Sequence, residues 1–157
     1  MDLGVKVSEV EGFVGGEHGS AAYPLWSTTR IRGKTVDDYL ADSHKTLDRA
    51  DVVKYVRGIS KQIVDVVGAT EFGPAAGFRD VVRAILKDRR ELMSVSNSMK
   101  FPELPEAVHV SVPTVVGSKI GPNIWDKLTP SEQADIKTAA KAIYGNYKLA
   151  LESLGLT

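Results

Sequence analysis

The sequence predicts an α+β fold in which antiparallel strands pack against long helices. Three observations carry that expectation. Residues 48–67 and 129–155 repeat apolar side chains at spacings of three and four, the period of an amphipathic helix. Residues 91–98 and 108–112 alternate apolar and polar, as half-buried strands do. Helices and strands do not follow one another in a regular βαβ order, so a doubly wound parallel sheet is not expected.

Composition bounds the rest. The chain of 157 residues is one domain's worth, with 43% hydrophobic and 25% charged residues, ordinary values for a globular protein. Its formal net charge is zero, so neither nucleic acid nor an anionic membrane is expected as a partner, because both demand a surplus of Lys and Arg. No apolar run approaches the roughly 20 residues of a membrane span, and no secretory signal is visible. Cysteine is absent, which removes disulfides, thiolate catalysis and cysteine metal sites. A cytoplasmic location and no metal site are expected.

Residues 1–8 read as the tail of a helix and a turn, with Gly4 after Leu3 as the helix exit. A helix tail at that point leads us to expect structure in front of it. Val10 to Val14 begins a strand that delivers the chain to Gly15, and Tyr23 to Ile31 is a second strand, closed by the turn Arg32-Gly33-Lys34. Thr35 with Asp38 three positions on is close to a capping box and starts a short helix. In 48–67 the stripe is Val52, Val56, Ile59, Ile63 and Val66, with Gly58 expected in close packing and Gly68 as the stop. Pro74 suits the first turn of the next helix, whose apolar residues are Phe78, Val81, Val82, Ile85 and Leu86. Pro102 and Pro105 bracket a loop, and Pro113 is expected to place the strand of Val108, Val110 and Val112 near an edge or a strand end. His109, opposite those valines, reads as a surface or packing residue. Thr129-Pro130-Ser131-Glu132 combines an N-cap, a proline at N1 and a capping-box glutamate, and Ile136, Ala139, Ala140, Ile143, Tyr147, Leu151 and Leu154 form the stripe behind it.

The stretch with chemistry in it is Gly16-Glu17-His18-Gly19-Ser20-Ala21-Ala22-Tyr23-Pro24-Leu25-Trp26-Ser27. It sets a titratable imidazole between two glycines directly after a strand, where the backbone can turn sharply. Alone, a His-Gly pair is an ordinary turn histidine. The run as a whole resembles the active-site segment of the lactate/malate dehydrogenase family, in which Gly-Glu-His-Gly is followed by Pro-x-Trp-Ser. Two positions depart: the family usually has Asp where this chain has Ser20, and Ser or Thr where it has Ala21. Gly68-Ala69-Thr70 resembles, more weakly, the segment whose threonine borders the substrate. Val115 to Gly121, following Ser111-Val112-Pro113, and the long last helix are similar to the family as well, so the resemblance covers residues 1–157, as that family's C-terminal catalytic domain.

The resemblance implies that His18 is the acid/base that exchanges the proton of a small 2-hydroxy or 2-oxo acid, and that Thr70 is substrate-binding. It also implies that NAD or NADP serves the complete enzyme from an N-terminal Rossmann domain. No residue of this chain is expected to bind the cofactor: Gly12, Gly15, Gly16 and Gly19 do not fit the Gly-x-Gly-x-x-Gly spacing. The family's partner aspartate and its substrate-binding arginines belong to that other half; Asp2 does not lie in the family's Asp-x-x-Arg pattern. Arg30, Arg32 and the Arg89-Arg90 pair read as solvated charges flanking turns. Two functions follow. One is the catalytic-histidine half of a malate or lactate dehydrogenase, with a lean toward malate, inactive without the NAD-binding half. The other is a non-catalytic oligomerisation or interaction module of the same descent. A truncated reading frame is a third, plainer origin. A homo-oligomer is expected in either function.

Overall fold

In the computed structural model, which describes residues 3–156, six strands form one antiparallel sheet backed by helices. The strands are β1 (Val10–Gly16), β2 (Ala22–Ile31), β3 (Lys34–Thr35), β4 (Glu91–Met99), β5 (Val108–Val116) and β6 (Ile120–Asn123). The helices are α1 (Val36–Ser43), α2 (Arg49–Val67), α3 (Phe72–Leu86) and α4 (Pro130–Ser153). Strands run in the order β3-β2-β1-β5-β4, with β6 also paired to β5.

β5 is the strand on which the sheet is assembled. One edge pairs with β4 along its whole length, from Glu91 opposite Val116 to Met99 opposite Val108. The other edge changes partner midway. It meets β1 at Gly16 opposite Ser111, then β6 from Thr114 opposite Asn123. Pro113 sits between those two pairings, inside a central strand and not near an edge as the sequence suggested. Its carbonyl accepts from Ile124 N (3.0 Å), and in a strand the N–H and C=O of one residue point the same way. The donor that proline lacks therefore falls where the partner strand changes, and its absence costs no ladder bond.

The alternation in β5 divides the sheet into a dry and a wet face. Val108, Val110 and Val112 pack with Leu25, Phe101, Ile136, Ala139 and Ala140 in the main core, under α4. His109 and Ser111 point to the opposite face, across from Ser98 and Ser96 of β4. A smaller core of Ile31, Val36 and Tyr39 lies beneath α1, whose first turn is capped by Thr35 as expected.

β2 carries a wide bulge. Its pairing with β1 jumps from Arg30 opposite Glu11 to Leu25 opposite Phe13, which expels residues 26–29 from the ladder. Thr28 and Thr29 turn their hydroxyls onto the Leu25 carbonyl, and Arg30 donates to the carbonyls of Ser27 and Thr29. Arg30 thus braces the bulge; it is not simply solvated. The other three arginines are paired: Arg32 with Glu9, Arg89 with Glu91 and Arg90 with Asp88. The bulge aims Ser27 at the start of α4. There the buried carboxylate of Glu132 accepts from Ser27 N (2.8 Å), Ser27 Oγ (2.7 Å), Thr129 N (2.9 Å) and Thr129 Oγ1 (2.9 Å). The capping box legible in the sequence is therefore also a tertiary clamp.

Two local expectations change. Residues 3–6 are not helical; the chain enters through a 3-10 turn at Val7–Glu9, although Gly4 does adopt the left-handed conformation (φ 63°). Residues 1, 2 and 157, and with them Asp2, lie outside the described residues. Gly58 has no close neighbour: a Cβ there would meet only the end of the Gln62 side chain at 3.8 Å. The apolar stripes of α2 and α3 exist, yet no residue of α2 is buried and only Ala84 of α3 is, leaving Val66 85% and Phe72 90% exposed.

Burial alone would raise the Glu132 carboxyl, but the bonds from Ser27 and Thr129 outweigh it and hold it below its usual value. Its contribution to stability is then full above the unfolded value of about 4.5 and lost as pH falls through the lower folded value. Glu132→Gln, whose amide nitrogen cannot accept, should cost about 2–4 kcal/mol in urea unfolding at pH 7. The gap between wild type and variant should hold constant down to about pH 4.5 and narrow below it.

Candidate functional site

β1 ends on two glycines because nothing larger fits. A Cβ on Gly15 would lie 3.2 Å from both Ile136 Cδ1 and the Ser111 carbonyl oxygen. Gly16 has φ 95°, and a Cβ there would collide with the Ala21 carbonyl oxygen. Beyond it the chain makes a small loop, closed at its neck by Glu17 N to Ala21 O and Ala22 N to Gly19 O, both 3.2 Å. Ala21 turns into the main core, where a hydroxyl would lack water. His18, Gly19 and Ser20 face solvent.

The loop forms one rim of an open cleft of about 1170 Å³. Val56, Arg57, Ser60 and Lys61 of α2 make the facing wall; Ser94 and Ser96 of β4 with His109 and Ser111 of β5 make the wet floor; Ile143 of α4 closes one end. Ser94 Oγ donates to the Val14 carbonyl (2.9 Å), joining β4 to β1 beneath the cleft. Among the described residues His18 makes no side-chain hydrogen bond or ion pair, and neither do His109, Ser60, Ser96 or Ser111. Among the described residues the lining carries one acid, Glu17, and two bases with a fixed charge, Arg57 and Lys61. Lys61 is paired with Asp65 (2.7 Å), which leaves Arg57 as the main fixed positive charge. With Lys61 paired, Glu17 and Arg57 balance, so the cleft carries no excess charge; it offers Arg57 as a donor for an anionic group and an imidazole, a side chain able to exchange a proton.

Of the two site residues expected from the sequence, the structure puts His18 in the cleft. Thr70 lies exposed in the turn between α2 and α3 and is not among the residues lining it. Two lining residues carry no site signal in the sequence. His109 lies on the face away from the valines, as its alternation implies, but strand alternation gives no hint that the His18 loop opens onto that face. Arg57 falls between the stripe positions Val56 and Ile59 and has no motif of its own.

Among the described residues no group of three or more His, Asp or Glu is placed to hold a metal ion. Gly15 and Gly16 do not form a cradle for a pyrophosphate: the space a side chain would need is filled by Ile136, Ala139 and Ala21 of the protein itself. No helix among the described residues is long and apolar enough to cross a membrane.

Residues 1–153 match the family model of the lactate/malate dehydrogenase alpha/beta C-terminal domain. The chain belongs to that family. It is similar to the malate dehydrogenase of Sulfolobus acidocaldarius, 36% identical over 97% of this chain and 47% of the relative. It is also similar to the L-lactate dehydrogenase of Treponema denticola, 28% identical over 90% of this chain and 47% of the relative. Among solved structures, the L-lactate dehydrogenase of Clostridium thermocellum superposes with a TM-score of 0.75 at 29% identity, over 91% of this chain and 47% of that one. The chain therefore spans about half the length of the relatives it matches, and its antiparallel sheet with four helices is the fold of their C-terminal domain.

Gly16→Ala tests how the His18 loop is held. The substitution should destabilise the chain by at least about 2 kcal/mol in thermal or urea unfolding, because it adds both a left-handed alanine and a clash with the Ala21 carbonyl. Gly33→Ala, equally left-handed (φ 78°) but with nothing within 4 Å, should cost about 1 kcal/mol.

Proposed function

We propose that this chain is the substrate-binding and catalytic-histidine half of an NAD(P)-dependent malate or lactate dehydrogenase. The observation that carries the reading is His18: an imidazole with no partner among the described residues, held by a glycine-hinged loop at the rim of a polar cleft that Arg57 also lines. In that role His18 takes the hydroxyl proton of a 2-hydroxy acid as it is oxidised and returns it to the 2-oxo acid in reduction. The half-empty polar surroundings of His18 fit a site whose orienting carboxylate and carboxylate-binding arginine come from elsewhere. Cofactor chemistry is assigned to an NAD-binding half, so the chain alone is expected to be inactive. Thr70 is proposed to border the substrate only in that assembly. A malate-type substrate is favoured over lactate by the Gly68-Ala69-Thr70 wording and the archaeal malate dehydrogenase relatives.

A second reading has its own observation. The outward faces of α2 and α3 carry Val66, Val67, Phe72, Phe78 and Leu86, all at least 73% exposed, a pattern suited to contact with a second copy of this chain. Such an interface serves the dehydrogenase half equally well; alone, it describes an oligomerisation module.

The NAD-binding half of the Sulfolobus acidocaldarius relative, mixed with this chain, separates the two. The dehydrogenase reading predicts NADH-dependent reduction of oxaloacetate, weaker reduction of pyruvate, and loss of at least about 1000-fold in His18→Asn. A tight, mixed complex that reduces no 2-oxo acid leaves the module. Sedimentation of the chain alone is expected to give a dimer or larger species, and Phe78→Glu to shift it toward monomer.

A further inference from the structure

α2 is attached to the domain in an unusual way. None of its residues is fully buried, and Val52, Val53, Val56 and Ile59 are only half-buried. Two arginines about two turns apart add to that shallow packing, each lying on an aromatic ring of β2. Arg49 stands over Trp26 at 5.2 Å and reaches Asp37 of α1 (2.6 Å). Arg57 stands over Tyr23 at 4.4 Å and donates through Nε to the Ala22 carbonyl (3.0 Å). The second attachment falls at the neck of the His18 loop. Both ends of Ala22 are engaged there: its N–H on Gly19 within the loop, and its C=O on Arg57 from the helix.

We propose that Arg57 is the positioning residue through which the placement of α2 sets the geometry of the His18 loop. A displacement of α2 carries the guanidinium with it, draws on the Ala22 carbonyl, and loosens or tightens the Ala22–Gly19 closure beside His18. The guanidinium suits this task because its flat face stacks while its edge donates in the ring plane; an ammonium supplies charge without that fixed direction. Asp135 of α4 faces Arg57 across a second hollow of about 690 Å³, lined also by Tyr23 and Lys54, without forming an ion pair. The guanidinium is thereby set among α2, β2 and α4 while it also lines the His18 cleft. The functional weight of this link rests on His18 being the proton-transfer residue, but the link itself is a property of the loop and is read independently.

The test uses the full chain and three variants, Arg57→Lys, Arg57→Met and Tyr23→Leu. Amide hydrogen exchange is followed at Glu17 and Ala22, and the imidazole Cε1–H signals of His18 and His44 by NMR; His44 caps α1 and lies away from the cleft. Arg57→Lys and Arg57→Met are expected to speed exchange at Glu17 and Ala22 at least 10-fold and to move the His18 signal, with His44 unmoved and exchange at Ala139 and Ala140 unchanged. Tyr23→Leu, which keeps the Nε bond and removes the stacking surface, should give a smaller change of the same kind and stands in if an Arg57 variant does not fold. Exchange that is unchanged, or that rises equally at Ala139 and Ala140, overturns the proposal, as does full rescue by lysine. Failure of the two-half activity assay with these loop effects intact would count against the dehydrogenase reading and leave Arg57's role standing.

Discussion

The segment from Gly16 to Ser27 is gripped at both ends by one helix. At its start, Gly16 lies so close to α4 that an added Cβ would stand 3.2 Å from the Ala139 Cβ. At its end, Ser27 gives both its N–H and its hydroxyl to Glu132 in the first turn of α4. Eight residues of α4, Glu132 to Ala139 and about two turns, thus span the whole histidine segment. The grip needs small residues at the near end and an ionised carboxylate at the far end. That requirement explains Gly15, Gly16, Ala139 and Ala140 together: each removes a side chain from a place where backbone and helix must meet. It also explains the serine of the Pro-x-Trp-Ser element, whose N–H and hydroxyl both serve as structural donors to Glu132.

The same helix decides which face of the sheet stays dry. Its Ile136, Ala139 and Ala140 cover the valines of β5, so the alternate residues, Ser111 and His109, are left to solvent with the serines of β4. Because the β1 end is pinned at Gly16 opposite Ser111, the loop that follows emerges over this polar side. His18 therefore stands above serine hydroxyls and the His109 imidazole, with no apolar residue of β5 beneath it. The unpartnered hydroxyls of Ser96 and Ser111 are satisfied only while water or a polar partner reaches them. An open cleft supplies water; a second protein half would have to supply matching polar groups.

Much of this was legible in the residues. The caps at Thr35 and Thr129, the stop at Gly68 and the fold class follow from local chemistry that tertiary contacts did not override. The histidine segment was legible as a signature, and its glycines as the reason the loop can turn. Where the reading failed, the deciding information was not local. Pro113 looked like an edge signal because a single strand does not reveal that its neighbour changes partway along. The Val52–Val66 stripe has the period of a buried face, yet periodicity reports only that a face is apolar and says nothing about what covers it. The bulge at 26–29 and the double use of Glu132 depend on residues 105 positions apart.

The central claim is that His18 stands in half of a site, ready for groups from another half. The most direct measurement follows the His18 imidazole signal as the NAD-binding half of a relative is added to the labelled chain. The account predicts a saturable shift of the His18 signal at the same stoichiometry as complex formation, with His44 unchanged. Complex formation that leaves His18 unmoved would contradict it.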